Sequence, residues 1–300
     1  METYESLRGK LRSAQELKSI VRTMKTIAAV AIRQYERAVE SLSEYNRAVE
    51  LGFQFLLKKE PERVMERGQM PGGNLCAIVF GSDQGMCGQF NDRIVSFAID
   101  NMNRIQKPEG RILLGIGVRV AARLEGEKQP VEEQFSVPGS VEGITSMVQK
   151  ILIRIEDLRS NKEIDQIIIF YHKRISGSTY NPRMVYLLPL NKEWLRSLEE
   201  REWPARVLPL YTMDWNQLFS ALIRQYLFFL LYRASAESLA SENASRLSSM
   251  QAAEKNIEDR LEELRTQFNQ QRQDSITAEM MDIVAGFEAL TSERREEQFS

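Results

Sequence analysis

The chain has 300 residues, of which 43% are hydrophobic and 27% charged, so it can bury a core and is not disordered as a whole. Its 40 basic and 42 acidic side chains give a net charge of −2, which excludes a global cationic field for nucleic acid or anionic lipid. Two cysteines exclude a disulfide framework, and a single histidine excludes His-rich zinc sites.

Helix-breaking residues are concentrated in the middle of the chain. All nine prolines fall within residues 61–209, and 13 of the 16 glycines fall within residues 68–177. Because proline costs about 3 kcal/mol and glycine about 1 kcal/mol inside a helix, both ends of the chain are free to form long helices. We therefore expect two terminal helices and a loop-containing domain between them.

The first predicted helix covers residues 1–58 and carries a sustained heptad pattern. Steps of three and four residues separate its seam positions, which is typical of a coiled coil. The seam consists of Leu7, Lys10, Ala14, Leu17, Val21, Met24, Ala28, Ala31, Tyr35, Ala38, Leu42, Tyr45, Val49, Gly52 and Leu56. The helix is also basic, which suggests nucleic acid, but its interspersed glutamates and few aromatic residues favour a solvated face or one that faces acidic protein.

The middle segment, residues 70–208, alternates short apolar runs with amphipathic stretches. This alternation is typical of an α/β domain with a mainly parallel sheet. We predict strands at residues 75–80, 111–116, 166–171 and 184–188. We predict helices near residues 91–105, 118–124 and 141–158.

The last predicted helix covers residues 212–291, and a polar tail, residues 292–300, follows it and is expected to fray. Asp214 is a suitable N-cap for this helix. Two terminal helices that flank one domain most simply pair with each other. The predicted fold class is therefore α/β, with a long antiparallel coiled coil of N- and C-terminal helices plus a central Rossmann-like α/β domain.

The difference in length between the two helices bears on function. At 1.5 Å per residue, the first helix reaches about 80 Å and the second about 120 Å, so the last ~25 residues extend beyond the first helix. This extension carries an apolar stripe of Ile276, Met280, Ile283, Phe287 and Leu290. Because each large apolar side chain left in water forfeits about 1.5–3 kcal/mol, we expect an external sleeve to cover the stripe. A bent-back helix and a dimer are the alternatives.

A glycine-containing loop, residues 81–88 (GSDQGMCG), lies between a predicted strand and a predicted helix. Such a loop could hold a phosphate, but it lacks both G-x-G-x-x-G and the Lys-Ser/Thr of a P-loop, so a structural turn is favoured. Cys87, near a helix N-terminus, could be a nucleophile. The single histidine, His172, lies on a different strand, which argues against catalysis and favours a structural role.

Distinctive motifs lie in three parts of the chain. The first helix contains residues 20–25 (IVRTMK), and the loop region contains residues 82–91 (SDQGMCGQFN). The last helix contains residues 240–246 (ASENASR). Residues 268–286 of the same helix include the short motifs Phe268-Asn269, Arg272-Gln273 and Ser275-Ile276-Thr277. Together these motifs resemble the gamma subunit of F-type ATP synthases, and the resemblance spans nearly the full length of the chain.

The resemblance implies a central rotor shaft with no active site and no cofactor of its own. The paired helices of the family stand inside a hexamer of alpha and beta subunits, where the tip of the last helix reaches a hydrophobic sleeve. The α/β domain and the lower coiled coil sit on the ring of c subunits, together with the epsilon subunit. The shaft couples translocation of hydrogen or other ions through this ring to ATP synthesis or hydrolysis in the hexamer.

Carried over by motif, the resemblance implies residues that face the alpha and beta subunits: Met24, Asp83, Gln84, Arg246, Arg272, Gln273, Thr277 and Glu279. By position alone, it implies that Tyr211 and Asp214 lie near the foot of the rotor. It also implies a peripheral location on the cytoplasmic face of a bacterial or archaeal plasma membrane, without membrane insertion or nucleic acid. The alternatives are a coiled-coil scaffold with an α/β head, and an α/β enzyme that uses the loop of residues 81–88.

Overall fold

The computed structural model describes residues 4–67, 73–162, 164–205, 207–210 and 212–297, with the backbone alone for Arg67 and residues 288–297. The chain divides into two units, residues 1–26 with 250–300 and residues 27–249. In chain order the elements are α1 Tyr4–Ser41, α2 Ser43–Lys59, α3 Pro61–Arg67, β1 Asn74–Phe80, α4 Phe90–Ile105, β2 Arg111–Ile116, α5 Val118–Gly126, β3 Glu133–Phe135, α6 Val141–Lys162, β4 Ile164–Ser176, β5 Thr179–Leu188, α7 Lys192–Glu200 and α8 Trp215–Glu297.

The first unit is an antiparallel pair made by the start of α1 and the later part of α8. The ring of Tyr4 stacks on that of Phe268, with 4.7 Å between the centroids. Further along α1, the Nζ of Lys18 lies 2.7 Å from a carboxylate oxygen of Glu258. Since partner numbers fall along α8 as they rise along α1, the helices run in opposite directions, which confirms the predicted pairing.

The predicted seam agrees with the observed burial in the first unit, with exceptions at Lys10 and Leu17, which are both exposed. Leu7 and Val21 on α1 are buried, as is Leu261 on α8. Leu17, however, is 53% exposed, so its assignment to the seam was wrong. The reason is that the neighbouring Lys18 turns towards α8 to reach an acidic partner, which leaves Leu17 facing outwards.

Glu254 joins α8 to two basic residues of α1 in the same unit. Its oxygens lie 2.5 Å from the Lys25 Nζ and 2.6 Å from the Arg22 Nε. The hydrogen bond from Lys25, followed by that from Arg22, lowers the pKa of Glu254 to about 2. The basic face of α1 is thus matched in part by acidic side chains of the chain's own last helix.

We predict that Glu254→Gln makes the helix pairing of this unit less sensitive to acid. Because the folded pKa is depressed, the stabilisation by Glu254 is complete above the usual pKa of 4.5 and is lost as the pH falls towards 2. Chemical unfolding followed by circular dichroism at stepped pH measures this loss. Glu263→Gln is the matched control, since Glu263 pairs with Arg260 on its own helix. An equal acid dependence in both variants would contradict the assignment.

The second unit contains a five-stranded sheet in the order β3-β2-β1-β4-β5. β1 pairs in parallel with both β2 and β4, β2 pairs in parallel with β3, and β5 is antiparallel to β4. The central strand β1 is buried along residues 75–80, as expected for a parallel strand covered on both faces. The mainly parallel sheet that the alternation of elements predicted is therefore confirmed.

Side chains of β1 alternate between two hydrophobic cores. Leu75 and Val79 belong to a cluster with residues of α4 and α5. Ile78 and Phe80 point to the other face and belong to a cluster that includes residues of α1, α2, α6 and the early part of α8. The sheet is thus covered on both sides, and α8 is part of the core of this unit.

The observed helices and strands differ from the prediction in three respects. The first helix is interrupted at Leu42, where the Ser41 hydroxyl donates to the Ala38 carbonyl at 2.9 Å and competes with the helical ladder. β3, α3 and α7 were not predicted. The last helix begins at Trp215 and continues to Glu297, so it extends into the predicted polar tail, and the fraying of that tail stays a prediction. Within the described residues, no helix is both long and apolar enough to cross a membrane.

Candidate functional site

The loop between β1 and α4, residues 81–88, is held as a closed turn by Asn91. The amide of Ser82 donates to the Asn91 Oδ1 at 3.0 Å, and the Asn91 Nδ2 donates to the Ser82 hydroxyl at 2.8 Å. That hydroxyl donates in turn to the Gln84 carbonyl at 2.9 Å. Gly88 has a φ of 57°, a conformation that favours glycine. These contacts confirm the prediction of a structural turn.

Asp83 and Gln84, both predicted to contact a partner, have different environments in this loop. One carboxylate oxygen of Asp83 accepts the Val118 amide at 2.8 Å, and the other accepts the Val137 amide at 2.9 Å. Asp83 therefore ties the loop to the start of α5 and to the segment before α6. Gln84 is exposed, and the nearby Met86 is 59% exposed. A partner can reach these two side chains, whereas Asp83 shapes the loop that presents them.

Cys87, considered as a nucleophile, is buried beneath the loop. Its Sγ lies 3.6 Å from the Ser82 Oγ. Burial raises the pKa of the Cys87 thiol, and the hydrogen bond with Ser82 opposes this only in part. Because the thiolate is the reactive species, a buried thiol with a raised pKa is inert. The geometry assigns Cys87 to packing.

His172 lies inside β4 and has the structural role expected from the sequence. Its side chain is fully buried, and its Nε2 lies 2.9 Å from the Phe90 carbonyl. The imidazole packs against the rings of Phe90 and Tyr180, at centroid distances of 4.5 and 4.7 Å. Burial lowers the pKa of His172 to about 4, so the ring is neutral at physiological pH.

A second candidate surface lies on α8 in the first unit, and we name it the apolar tip. It consists of large side chains four, three and four residues apart, which places them on one face of the helix. They are Ile276, Met280, Ile283 and Phe287, with exposed fractions of 47, 61, 72 and 69%. The predicted contact residues Arg272, Gln273, Thr277 and Glu279 are exposed on the same stretch of helix. The side chain of Leu290 lies outside the described residues.

Met24 and Arg246, also predicted as contacts, are largely enclosed within their own units. Met24 is half-buried in the first unit. In the second unit, the guanidinium of Arg246 lies 2.5 Å from a carboxylate oxygen of Glu242, and the two side chains are 12% and 6% exposed. Burial raises the pKa of Glu242, and the charge of Arg246 opposes that shift. The charge of Arg246 is therefore matched within the chain.

At the predicted rotor foot, Asp214 begins the last helix. Its Oδ2 accepts the amide of Asn216 at 2.8 Å, which confirms the predicted N-cap. Tyr211 lies outside the described residues. Apolar side chains nearby in sequence are solvent-exposed: Val207 at 78% and Leu210 at 100%.

Sequence reasoning missed two serines of α8 that join this helix to the α/β domain. The Ser245 hydroxyl donates to the Cys87 carbonyl at 2.6 Å, and that of Ser241 lies 3.0 Å from the His172 carbonyl. A signal was present, because serines four residues apart in the middle of a helix are unfavourable unless their hydroxyls find partners.

Comparisons with known proteins agree with this geometry. The sequence profile of a family described as ATP synthase matches residues 3–290. A protein of Syntrophus aciditrophicus named ATP synthase gamma chain is 27% identical, over 97% of this chain and 99% of its own length. A gamma chain of Acetivibrio thermocellus is also 27% identical, over 97% of this chain and the whole of its own.

Solved structures of low sequence identity share the fold. A chain of the Euglena gracilis mitochondrial ATP synthase, in a structure of OSCP, F1 and c-ring, is similar with a TM-score of 0.64 and 16% identity, over 97% of this chain and 95% of its own. A chain from the rotor of the same synthase gives a TM-score of 0.58. The chain belongs to the ATP synthase gamma-chain family. It is a peripheral, non-catalytic subunit that serves as the rotary shaft, as the sequence resemblance implied.

Proposed function

We propose that this shaft meets its hexamer through the apolar tip and through the loop of residues 81–88, and meets the membrane ring at the segment that precedes α8. The apolar tip carries the proposal. Its side chains lie on one helical face and are about half to three-quarters exposed. In water, each of these side chains forfeits about 1.5–3 kcal/mol of burial free energy. A hydrophobic sleeve of alpha and beta subunits would bury them and recover that free energy.

Polar residues around the apolar tip are placed to fix the angle of the shaft in that sleeve. Arg272 and Glu279 are exposed and of opposite charge, and Gln273 and Thr277 lie between them in sequence. Charged and polar groups at an interface contribute specificity more than affinity. In our proposal these four residues, together with Met24 and the accessible edge of Arg246, distinguish the alpha and beta subunits that they face.

The loop of residues 81–88 is proposed to contact a beta subunit through Gln84 and Met86. The support for this contact is that hydrogen bonds to Asp83 and Asn91 fix the conformation of the loop that presents these two exposed side chains. A preorganised loop loses little entropy on contact, so its contact with a partner can change as the shaft turns without remodelling the domain.

The foot of the rotor is proposed to comprise Tyr211, Asp214 and the exposed Val207 and Leu210. The two apolar side chains support contact with protein, here the ring of c subunits and the epsilon subunit. Asp214 takes part by setting where α8 begins. We propose that the chain lies on the cytoplasmic face of a bacterial or archaeal plasma membrane, where its rotation couples ion flow through the ring to ATP synthesis or hydrolysis.

Purification of the intact complex tests the proposed function. The intact complex is isolated from cells that produce the chain, through a tag on the beta subunit. We expect one copy of this chain in each hexamer, with ATP hydrolysis coupled to ion transport in reconstituted vesicles. Recovery of the chain alone, or hydrolysis by the hexamer with the same transport when this chain is left out, would overturn the proposal.

A further inference from the structure

Helix α8 is enclosed on all sides over residues 234–245, within the second unit. Every residue from Ala234 to Ser245 is buried, although a surface helix normally leaves a polar face in water. The enclosed residues are mostly alanine and serine, whose small side chains let neighbouring backbones approach closely. This stretch of the shaft is therefore gripped by the α/β domain and the adjoining helices.

The grip includes directional bonds from Ser245. Its hydroxyl lies 2.6 Å from the Cys87 carbonyl and 3.1 Å from the Tyr180 hydroxyl. Since a carbonyl can only accept, the Ser245 hydroxyl donates its hydrogen bond to the Cys87 carbonyl oxygen. The Tyr180 hydroxyl must therefore donate to the Ser245 oxygen. The result is a continuous chain of hydrogen bonds from β5 through α8 to the loop of residues 81–88, with all three side chains buried.

Ser241 makes a second, weaker bond one helical turn earlier. Its hydroxyl lies 3.0 Å from the His172 carbonyl on β4 and 2.8 Å from the Glu237 carbonyl of its own helix. A single proton is therefore shared between two acceptors. Residues four apart lie on the same helical face, so Ser241 and Ser245 hold one side of α8 against two elements of the domain.

The loop approaches the helix closely at Gly88. A Cβ added to Gly88 would lie 3.3 Å from the Ser249 Oγ and 3.7 Å from the Ser245 Oγ. The bond from Ser245 reaches a backbone carbonyl in the adjacent residue, so no flexible side chain of the loop intervenes. This connection is correspondingly stiff.

We infer that Ser245, assisted by Ser241, fixes the rotational setting of α8 about its own axis on the α/β domain, and that torque passes between domain and shaft through these hydroxyls. Apolar burial is non-directional and tolerates small rotations, whereas a hydrogen bond weakens steeply with misalignment. Both serines are positioning residues. The inference rests on the shaft function, because only a rotating shaft requires a fixed angular setting.

Distance measurement in the assembled complex tests the inference. Spin labels are attached at two exposed positions of the second unit, Ser160→Cys on α6 and Ser248→Cys on α8. In the double variant Ser241→Ala and Ser245→Ala, we expect the label distance distribution to broaden. The population of conformations in which α8 is rotated away from its usual orientation should rise about five- to thirty-fold. The number of ions transported per ATP should fall while hydrolysis continues. Ser220→Ala, an exposed serine of the same helix, is the matched control.

Milder variants keep the test decisive if the double variant folds poorly. Tyr180→Phe removes one hydroxyl from the hydrogen-bond chain and retains the ring, so a smaller broadening is expected than for Ser245→Ala. Ser245→Thr retains the hydroxyl and should restore both the narrow distribution and the coupling. Unchanged distributions and unchanged coupling in all the hydroxyl-deleted variants would overturn the inference and leave the shaft function intact. Loss of transport in the unsubstituted complex would instead count against the proposed function.

Discussion

Replacing Gly117 with alanine is expected to destabilise the α/β domain by on the order of 3 kcal/mol or more. Gly117 connects β2 to α5 with φ 116° and ψ 139°, a conformation open to glycine almost alone. An added Cβ would lie 2.7 Å from the Ser82 carbonyl oxygen and 2.9 Å from the Ser82 nitrogen, and backbone atoms cannot move aside cheaply. Urea unfolding of the purified chain measures the loss.

The damage should extend to the candidate site, because Gly117 and the loop of residues 81–88 share the Ser82 backbone. The Arg119 amide donates to the Ser82 carbonyl at 2.9 Å, so displacing Gly117 also disturbs the seat of Asp83. Gly126→Ala is the matched control, since its Cβ would meet nothing within 4 Å, and we expect no destabilisation from it. Equal unfolding midpoints for the two variants would show that the close approach at Gly117 is tolerated.

Replacing Ile276, Met280 and Ile283 together with serine should weaken the complex severely and leave the isolated chain as stable as before. These side chains are 47, 61 and 72% exposed, so their loss removes little packing within the chain. In a hydrophobic sleeve, each is worth about 1.5–3 kcal/mol of burial, and three of them amount to several orders of magnitude in affinity. Dissociation of the assembled hexamer in rising urea provides the measurement.

A matched control for the apolar tip is available on the α/β domain. Ile153 on α6 is 60% exposed and belongs to no proposed contact, so Ile153→Ser should leave the complex unchanged. Truncation after Gln270 should reproduce the triple variant, because it removes the same surface. If the triple variant and the truncated chain both assemble as firmly as the control, the sleeve contact contributes little. The proposed function then loses its main support, which is the exposed apolar tip.

The long helices and the central strands could be predicted because their signal is local. The seam of α1 and the apolar run of residues 75–80 repeat with the periods of helix and strand, and burial follows from that repetition. β2 was found with its observed bounds, Arg111–Ile116. β3 spans only Glu133–Phe135 and exists because it pairs with β2, so its own residues carry little periodicity.

Side-chain orientation in the candidate site was harder to predict, since it depends on partners distant in sequence. Asp83 was expected at a surface, but amides 35 and 54 residues away bind both of its oxygens. Ser245 reaches a carbonyl 158 residues away, which no motif shows. The exposed apolar tip was foreseen because helix length and apolar spacing are sufficient to predict it. Contacts to other subunits remain predictions that the proposed variants test.

The enclosure of Ala234–Ser245 has a consequence for biosynthesis. The residues that complete one face of the sheet are translated well after β5, although they belong to the same core. At about 5–20 residues per second, several seconds pass before α8 emerges, and until then that face is covered only by earlier helices, among them α1, α2 and α6. The core of this domain is therefore complete only after α8 has emerged, later than the last strand of the sheet.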